Sequence, residues 1–95
     1  MKKLLNDHNP VILPVDGILD LHTFLPEDVP SLIDEYLRVC FDKGIHDVRI
    51  IHGKGKGVML HTVRALLARH PMVLTCGPDY DTGNWGVTLV TLKQE

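Results

Sequence analysis

The sequence predicts a two-layer α/β domain in which four strands and two helices follow in the order βαβαββ. Two segments carry apolar residues at helical spacing, and the segments around them have the alternating or β-branched composition of strands. The predicted helices are 27–43 and 58–70, and the predicted strands are 18–22, 48–52, 72–76 and 87–92. With both helices on one face of the sheet, the 95 residues, 44% of them hydrophobic, should enclose one modest core.

An N-terminal arm over residues 1–16 precedes the domain, which we place at 17–95. The arm contains two prolines and no periodic pattern, so we expect it to lie on the domain or to be partly disordered. Asn6–Pro10 interrupts its apolar run, and no later stretch could span a bilayer, so we expect a cytoplasmic protein with no membrane association. Cys40 and Cys76 are isolated, which indicates neither a disulfide framework nor a CxxC zinc site.

The first strand and the first helix have clear local signals. From Leu19 to His22 apolar and polar residues alternate, so Asp20 and His22 should point to the same side of a strand with one buried face. The acids and prolines of Pro26–Pro30 suit the first turn of a helix, where N–H groups are free. Lys43-Gly44 is a typical helix end.

The second half of the chain repeats the alternation of strand and helix. The second and third strands should be parallel and joined through the second helix by a right-handed crossover. Gly77–Gly86 is predicted to be the loop before the last strand, and Asn84 and Trp85 within it are candidate contacts to nucleic acid. Trp85 either offers a stacking platform for a base or covers the edge of the core.

The run that follows the second strand is rich in glycine and lysine. It consists of His52, Gly53, Lys54, Gly55, Lys56 and Gly57. Glycines at every second position let backbone N–H groups turn toward one point, and the next helix adds its positive N-terminal end. We therefore predict a phosphate-binding loop at Gly53–Gly57. The order of its residues differs from GxxxxGK[ST], which argues against nucleotide hydrolysis.

Charge is unevenly distributed along the chain, although the net charge is only −2. Between Asp7 and Asp42 eight acids accompany one base, whereas between Lys43 and His70 six bases accompany one acid. One interpretation is a positive face, with Arg49 and Arg64 as candidate contacts to nucleic acid, and a separate negative face. The other is that these charges are ordinary solvated helix surfaces.

Asp20, His22 and His52 are the candidate catalytic residues. Phosphodiester hydrolysis needs charge neutralisation, an activated water and help for the leaving oxygen. Either histidine could act as base or acid, and Asp20 could orient His22 or bind a divalent ion such as Mg²⁺ or Mn²⁺. Alternatively, Asp20 caps the glycine loop and His52 is a buried, hydrogen-bonded strand end. We expect all three to lie at the carboxyl ends of adjacent parallel strands, around one phosphate.

Three short motifs together resemble those of the Smr (small MutS-related) domain family. They are Leu19-Asp20-Leu21-His22, His52-Gly53-Lys54-Gly55 and Gly83-Asn84-Trp85-Gly86-Val87-Thr88. Their order and spacing match the family over about residues 17–92. Thr23 and Asn84 stand where the family has glycine, and asparagine tolerates the left-handed backbone conformation.

The resemblance implies the fold of the C-terminal domain of a bacterial translation initiation factor, in which the last strand of a mixed sheet runs antiparallel to its neighbour. It also implies a standalone member that acts on nucleic acid, with a protein partner that could supply targeting. Two functions remain open: an endonuclease acting on RNA or DNA, and a non-catalytic module that binds nucleic acid or ribonucleoprotein. A small phosphorylated metabolite would need a deeper pocket than a domain of this size is expected to enclose.

Overall fold

The computed structural model of the chain describes residues 2–5, 10–13, 15–53, 57–79 and 84–94. For residues 2–5, 10–13 and 84–85 it describes the backbone only. Within the described residues, no helix is both long enough and apolar enough to cross a membrane.

The N-terminal arm contains two short strands that the sequence did not reveal. Strand β1 (Lys2–Leu5) pairs antiparallel with β2 (Pro10–Leu13) and lies apart from the main sheet. The two prolines argued against a strand here, but Pro10 pairs with Leu5 at the very end of the ladder, where a missing N–H costs little.

The domain is built on a mixed four-stranded sheet, as predicted. Its strands are β3 (Ile18–Asp20), β4 (Asp47–Ile51), β5 (Val73–Asp79) and β6 (Asn84–Leu92), in the spatial order β3-β4-β6-β5. Strand β3 runs parallel to β4, whereas β6 runs antiparallel to both of its neighbours. The last strand is therefore the antiparallel one.

Two helices connect the parallel strands. After a 3-10 turn at Pro26–Asp28, helix α1 spans Val29–Asp42, and helix α2 spans Val58–Arg69. These bounds confirm the two predicted helices. Strand β1 of the arm contacts α1.

One face of the sheet carries the core, and both helices cover it. Val48 and Ile50 of β4 are buried on this face, whereas Ile18 on the other face is 49% exposed. The core joins residues from all layers: Leu19, Val48, Ile50, Val90 and Leu92 from the sheet, Val29, Leu32, Ile33, Tyr36, Leu37 and Cys40 from α1, and Val63 and Leu67 from α2. This confirms the predicted arrangement with both helices on one face.

The hairpin of β5 and β6 is longer than predicted. We expected a loop over 77–86, but β5 continues to Asp79 and β6 already begins at Asn84, with 80–83 outside the described residues. Gly77 and Pro78 suggested an end to the strand. They are tolerated because β5 is an edge strand, which needs ladder hydrogen bonds on one side only.

Tyr36 ties α1 to the start of β3. Its buried hydroxyl donates to the carbonyl oxygen of Ile18 at 3.0 Å and accepts the N–H of Gly17 at 3.2 Å. Burial raises the pKa of Tyr36 to about 12, and burial also raises the pKa of the Cys40 thiol, one turn further along α1, to about 11.

We expect these two groups to destabilise the domain in alkaline solution. Folding favours the neutral forms of both groups. Their contribution to the free energy of unfolding is therefore complete below the ordinary pKa values, 9.0 for Cys40 and 10.0 for Tyr36. It is lost as the pH rises through the pKa values in the folded protein, about 11 for Cys40 and about 12 for Tyr36. The melting temperature, followed by circular dichroism, should begin to fall near pH 9. Above pH 10 the melting temperature of the Tyr36→Phe variant should fall less steeply with pH than that of the wild type. Identical slopes would contradict the role given to Tyr36.

Gly17 should be sensitive to substitution because it precedes β3 in a tight space. Its φ is +95°, and an added Cβ would lie 3.0 Å from the backbone oxygen of Asp47. Gly17→Ala should lower the free energy of unfolding by about 2 to 3 kcal/mol, the sum of left-handed strain and overpacking. Gly44→Ala is a matched control, because Gly44 has φ +76° but open space around it, and should cost about 1 kcal/mol. Equal losses in urea unfolding would show that the contact with Asp47 is unimportant.

Candidate functional site

The carboxyl ends of β3 and β4 lie side by side at one edge of the sheet. Asp20 is paired with Ile51, and the N–H of Leu21 donates to the carbonyl oxygen of Ile51 at 2.9 Å. Because the strands are parallel, the residues that follow each of them emerge at the same edge. This brings the segment after Asp20 next to His52 and the start of the glycine loop.

Asp20 and His22 form an exposed hydrogen-bonded pair just beyond β3. His22 Nδ1 lies 2.7 Å from Asp20 Oδ1, and the backbone N–H of His22 donates to the same oxygen at 3.0 Å. A carboxylate only accepts, so Nδ1 carries the proton of the neutral ring and Nε2 has a free lone pair. The side chains are 70% exposed for His22 and 44% exposed for Asp20, so a polymeric ligand could reach both.

The same contacts keep Asp20 ionised. The backbone N–H of His22, and then its imidazole, hold the pKa of Asp20 below its usual value, because both favour the charged carboxylate. The group therefore remains an acceptor for the His22 ring throughout the neutral range. Such an arrangement fixes the orientation of an imidazole whose second nitrogen can take up a proton.

His52 follows β4 but is buried, with 8% of its surface exposed. Its Nε2 lies 2.9 Å from the hydroxyl of Thr88, and its Nδ1 lies 3.0 Å from the carbonyl oxygen of Gly53. By strand alternation it lies on the helix-covered face with Val48 and Ile50, whereas Asp20 lies on the open face with Ile18. The structure thus joins Asp20 to His22 and places His52 at the neighbouring strand end, facing the interior.

The glycine loop is described only at its two ends. Gly53 has φ +82°, and Gly57 has φ +83° at the N-cap of α2, where no side chain of the described residues caps the helix. Both positions use the left-handed conformation that glycine allows. Lys54, Gly55 and Lys56 lie outside the described residues.

The predicted contacts to nucleic acid fall on different parts of the domain. Arg49 lies on the open sheet face, where it donates to Asp79 at 2.9 Å. Arg64 lies on α2, which packs on the other face of the sheet. Its buried Nε has no acceptor in the described part of the chain. Asn84 and Trp85 lie in the first residues of β6, and their side chains are outside the description.

A divalent metal would find few ligands among the described residues. Residues 15–53, 57–79 and 84–94 contain no group of three His, Cys, Asp or Glu side chains that could hold an ion. Asp20 and His22 offer two side chains, and Asp20 Oδ1 already accepts two hydrogen bonds. The donor set of the described residues does not fit a protein-built Mg²⁺ or Mn²⁺ site.

Two buried polar residues of the site were missed in the sequence. Thr88 is fully buried against His52, and Asp79 is buried beside Arg49. Thr88 carried a signal, because alternation along the predicted last strand places it on the same side as Val90, facing the core. Asp79 showed no such pattern in the sequence, because it falls within the predicted loop.

A βαβαββ domain with an Asp-His pair and a glycine loop at adjacent strand ends defines a known class of small domain. The chain belongs to the Smr domain family, because the sequence model of that family matches residues 19–93.

The chain is similar to proteins named Endonuclease MutS2. It is 38% identical over 80 residues to the one from Caldicellulosiruptor saccharolyticus and 39% identical over 80 residues to the one from Clostridium tetani. In each case the match covers 83% of this chain and 10% of the relative, so the chain spans about a tenth of the length of these proteins.

Two solved structures have the same fold. The Smr domain of Thermus thermophilus MutS2 matches with a TM-score of 0.74 and 27% identity, over 81% of this chain and 98% of that one. YdaL, a stand-alone small MutS-related protein from Escherichia coli, matches with a TM-score of 0.74 and 22% identity, over 85% of this chain and 67% of that one.

Proposed function

We propose that this domain binds nucleic acid and cleaves its phosphodiester bonds at the carboxyl ends of β3 and β4. The observation that carries the proposal is the exposed Asp20-His22 pair, in which Asp20 fixes the ring and leaves Nε2 free. The endonuclease name of the MutS2 relatives supports the same activity.

In this mechanism His22 is the general base. Its Nε2 takes the proton of the attacking oxygen, which belongs to water or to a 2′-hydroxyl of RNA. Asp20 holds the ring and stabilises the imidazolium that forms, as a carboxylate does for histidine in other hydrolytic sites. The new phosphorus–oxygen bond forms as the bond to the leaving oxygen breaks, and that oxygen takes a proton from the imidazolium or from solvent.

The glycine loop supplies the phosphate contacts in this proposal. Lys54 and Lys56 carry full charge, and the N-terminus of α2 behind Gly57, which has no side-chain cap among the described residues, adds the N–H groups of its first turn. Helix α2 contains no acidic residue and carries Arg64 and Arg69, so a phosphate backbone can continue along it without repulsion.

A binding module without cleavage is the second candidate. It is favoured because both ring nitrogens of His52 are engaged in hydrogen bonds. Within the described site, His22 is then the histidine with a ring nitrogen that a substrate could use. A single acid-base group can bind and orient a phosphate without cutting it.

The test is incubation of the purified protein with end-labelled single-stranded and duplex RNA and DNA, with and without Mg²⁺ or Mn²⁺. Products that depend on Asp20 would support cleavage, with Asp20→Ala as the control. Binding with no product on any substrate would favour the binding module. Failure to bind all four substrates would overturn the proposal.

A further inference from the structure

We propose that Thr88 and His52 form a buried positioning pair that fixes the backbone of Gly53, the first residue of the glycine loop, and thereby supports phosphate binding by the loop. The proposal rests on the function proposed above and assigns residues to it. In place of the acid-base role that the sequence suggested for His52, it gives this histidine an indirect one.

The hydrogen bonds around His52 define its tautomer. The carbonyl oxygen of Gly53 can only accept, so Nδ1 of His52 must be protonated and donates to it at 3.0 Å. In the neutral ring Nε2 is then an acceptor, and the hydroxyl of Thr88 donates to it at 2.9 Å. Thr88 has no exposed surface and His52 is 8% exposed, so these hydrogen bonds begin in the interior and reach the surface at Gly53, which is exposed.

The backbone of Gly53 is held from the other side as well. The carbonyl oxygen of Gly86 accepts the N–H of His52 at 2.9 Å and that of Gly53 at 3.1 Å. Gly53 itself has φ +82°, in the left-handed region that glycine adopts without strain. Its N–H and its carbonyl are therefore both engaged.

The consequence for the loop concerns Gly53, the residue at which the chain enters it. The Gly53 N–H is held by Gly86 and the Gly53 carbonyl by the His52 ring, so the backbone of this residue is fixed from both sides. Without the ring contact the Gly53 carbonyl would lose its partner in the domain, and the chain would enter the loop in a less defined direction.

A direct catalytic role for His52 is incompatible with these contacts. A general base needs a nitrogen within hydrogen-bond reach of the substrate. Both nitrogens of His52 are occupied, and the ring is more than nine-tenths buried. His52 thus acts through Gly53, and Thr88 acts through His52.

The first test compares Thr88→Val with Thr88→Ser. Valine keeps the shape of threonine but cannot donate to Nε2, whereas serine keeps the hydroxyl. Thr88→Val should raise the Kd and the KM for a labelled oligonucleotide about 5- to 10-fold, the usual size of one lost buried hydrogen bond, with kcat within about twofold of the wild type. Thr88→Ser should bind within about twofold of the wild type. Thr91→Val, in the same strand and partly exposed, is the matched control and should change neither constant.

The pH profile of cleavage separates positioning from acid-base chemistry. The profile of Thr88→Val should run parallel to that of the wild type, because the base is His22. Wild-type binding by Thr88→Val, or a lower kcat with a shifted profile and unchanged Kd, would overturn the inference. A wild-type domain that binds no nucleic acid would overturn both this inference and the proposed function, whereas loss of binding in Lys54→Ala/Lys56→Ala but not in Thr88→Val would overturn this inference alone.

A second measurement needs no variant and tests the geometry itself. Nitrogen-15 NMR of the imidazole should show His52 as the neutral ring with its proton on Nδ1, hydrogen-bonded at both nitrogens. A proton on Nε2 in the neutral ring would make the Thr88 hydroxyl the acceptor and would remove the hydrogen bond to the Gly53 carbonyl, which cannot donate. That result would overturn the assignment, whether or not Thr88→Val folds.

Discussion

Replacing Asp20 or His22 by alanine is expected to lower cleavage by about 100-fold or more, the usual effect of losing a general base or the group that orients it. The double variant Asp20→Ala/His22→Ala should be little worse than either single one, because the two residues act as a unit. The measurement is single-turnover cleavage of an end-labelled oligonucleotide at saturating protein. Binding should stay within about threefold, since neither side chain is needed to hold the backbone in this proposal.

The chain offers a matched control for this experiment in a second Asp-His pair. His70 Nε2 lies 2.8 Å from Asp34 Oδ1, but the His70 side chain is almost entirely buried, and its Nδ1 accepts the N–H of Met72. Asp34→Ala should therefore lower the melting temperature and leave cleavage per folded molecule unchanged. The catalytic assignment fails if Asp20→Ala behaves like Asp34→Ala.

Removing both lysines of the glycine loop is expected to have the second large effect. Lys54→Ala/Lys56→Ala should weaken binding of a short oligonucleotide by about 100-fold at low salt, since each charge-assisted contact contributes about 1.5 kcal/mol or more. The slope of log K against log salt concentration should become shallower by about 1.5 for two lost phosphate contacts. Fluorescence anisotropy at several salt concentrations measures both quantities.

The control for the lysine pair removes the same charge at the opposite edge of the sheet. Lys43 ends α1, where its Nζ approaches the carbonyl oxygen of Val15, and Lys93 follows β6. Lys43→Ala/Lys93→Ala should change affinity and salt slope far less than the loop variant. Equal losses in the two double variants would show that binding follows net charge and not the loop.

The sequence by itself determined the order of the elements from β3 to β6 and predicted where the candidate site lies. The helical periodicity of α1 and α2 depends on residues three or four positions apart, which a local reading can detect. The parallel course of β3 and β4 followed from the helix between them, so their carboxyl ends had to meet at one edge. For the same reason the sequence predicts that Asp20, His22 and the start of the glycine loop lie together.

Only the tertiary structure decided what each site residue touches. Asp20 and His22 are two positions apart, and their contact depends on a local turn at the end of β3. The partner of His52, by contrast, is Thr88, 36 positions away, and the partner of Arg49 is Asp79, 30 positions away. These pairings depend on the order of β4, β6 and β5 in the sheet and on the face to which each side chain points. A local sequence pattern cannot predict these pairs. A buried donor bonds to an acceptor that the packed strands bring within reach, and that acceptor can lie far away in the sequence.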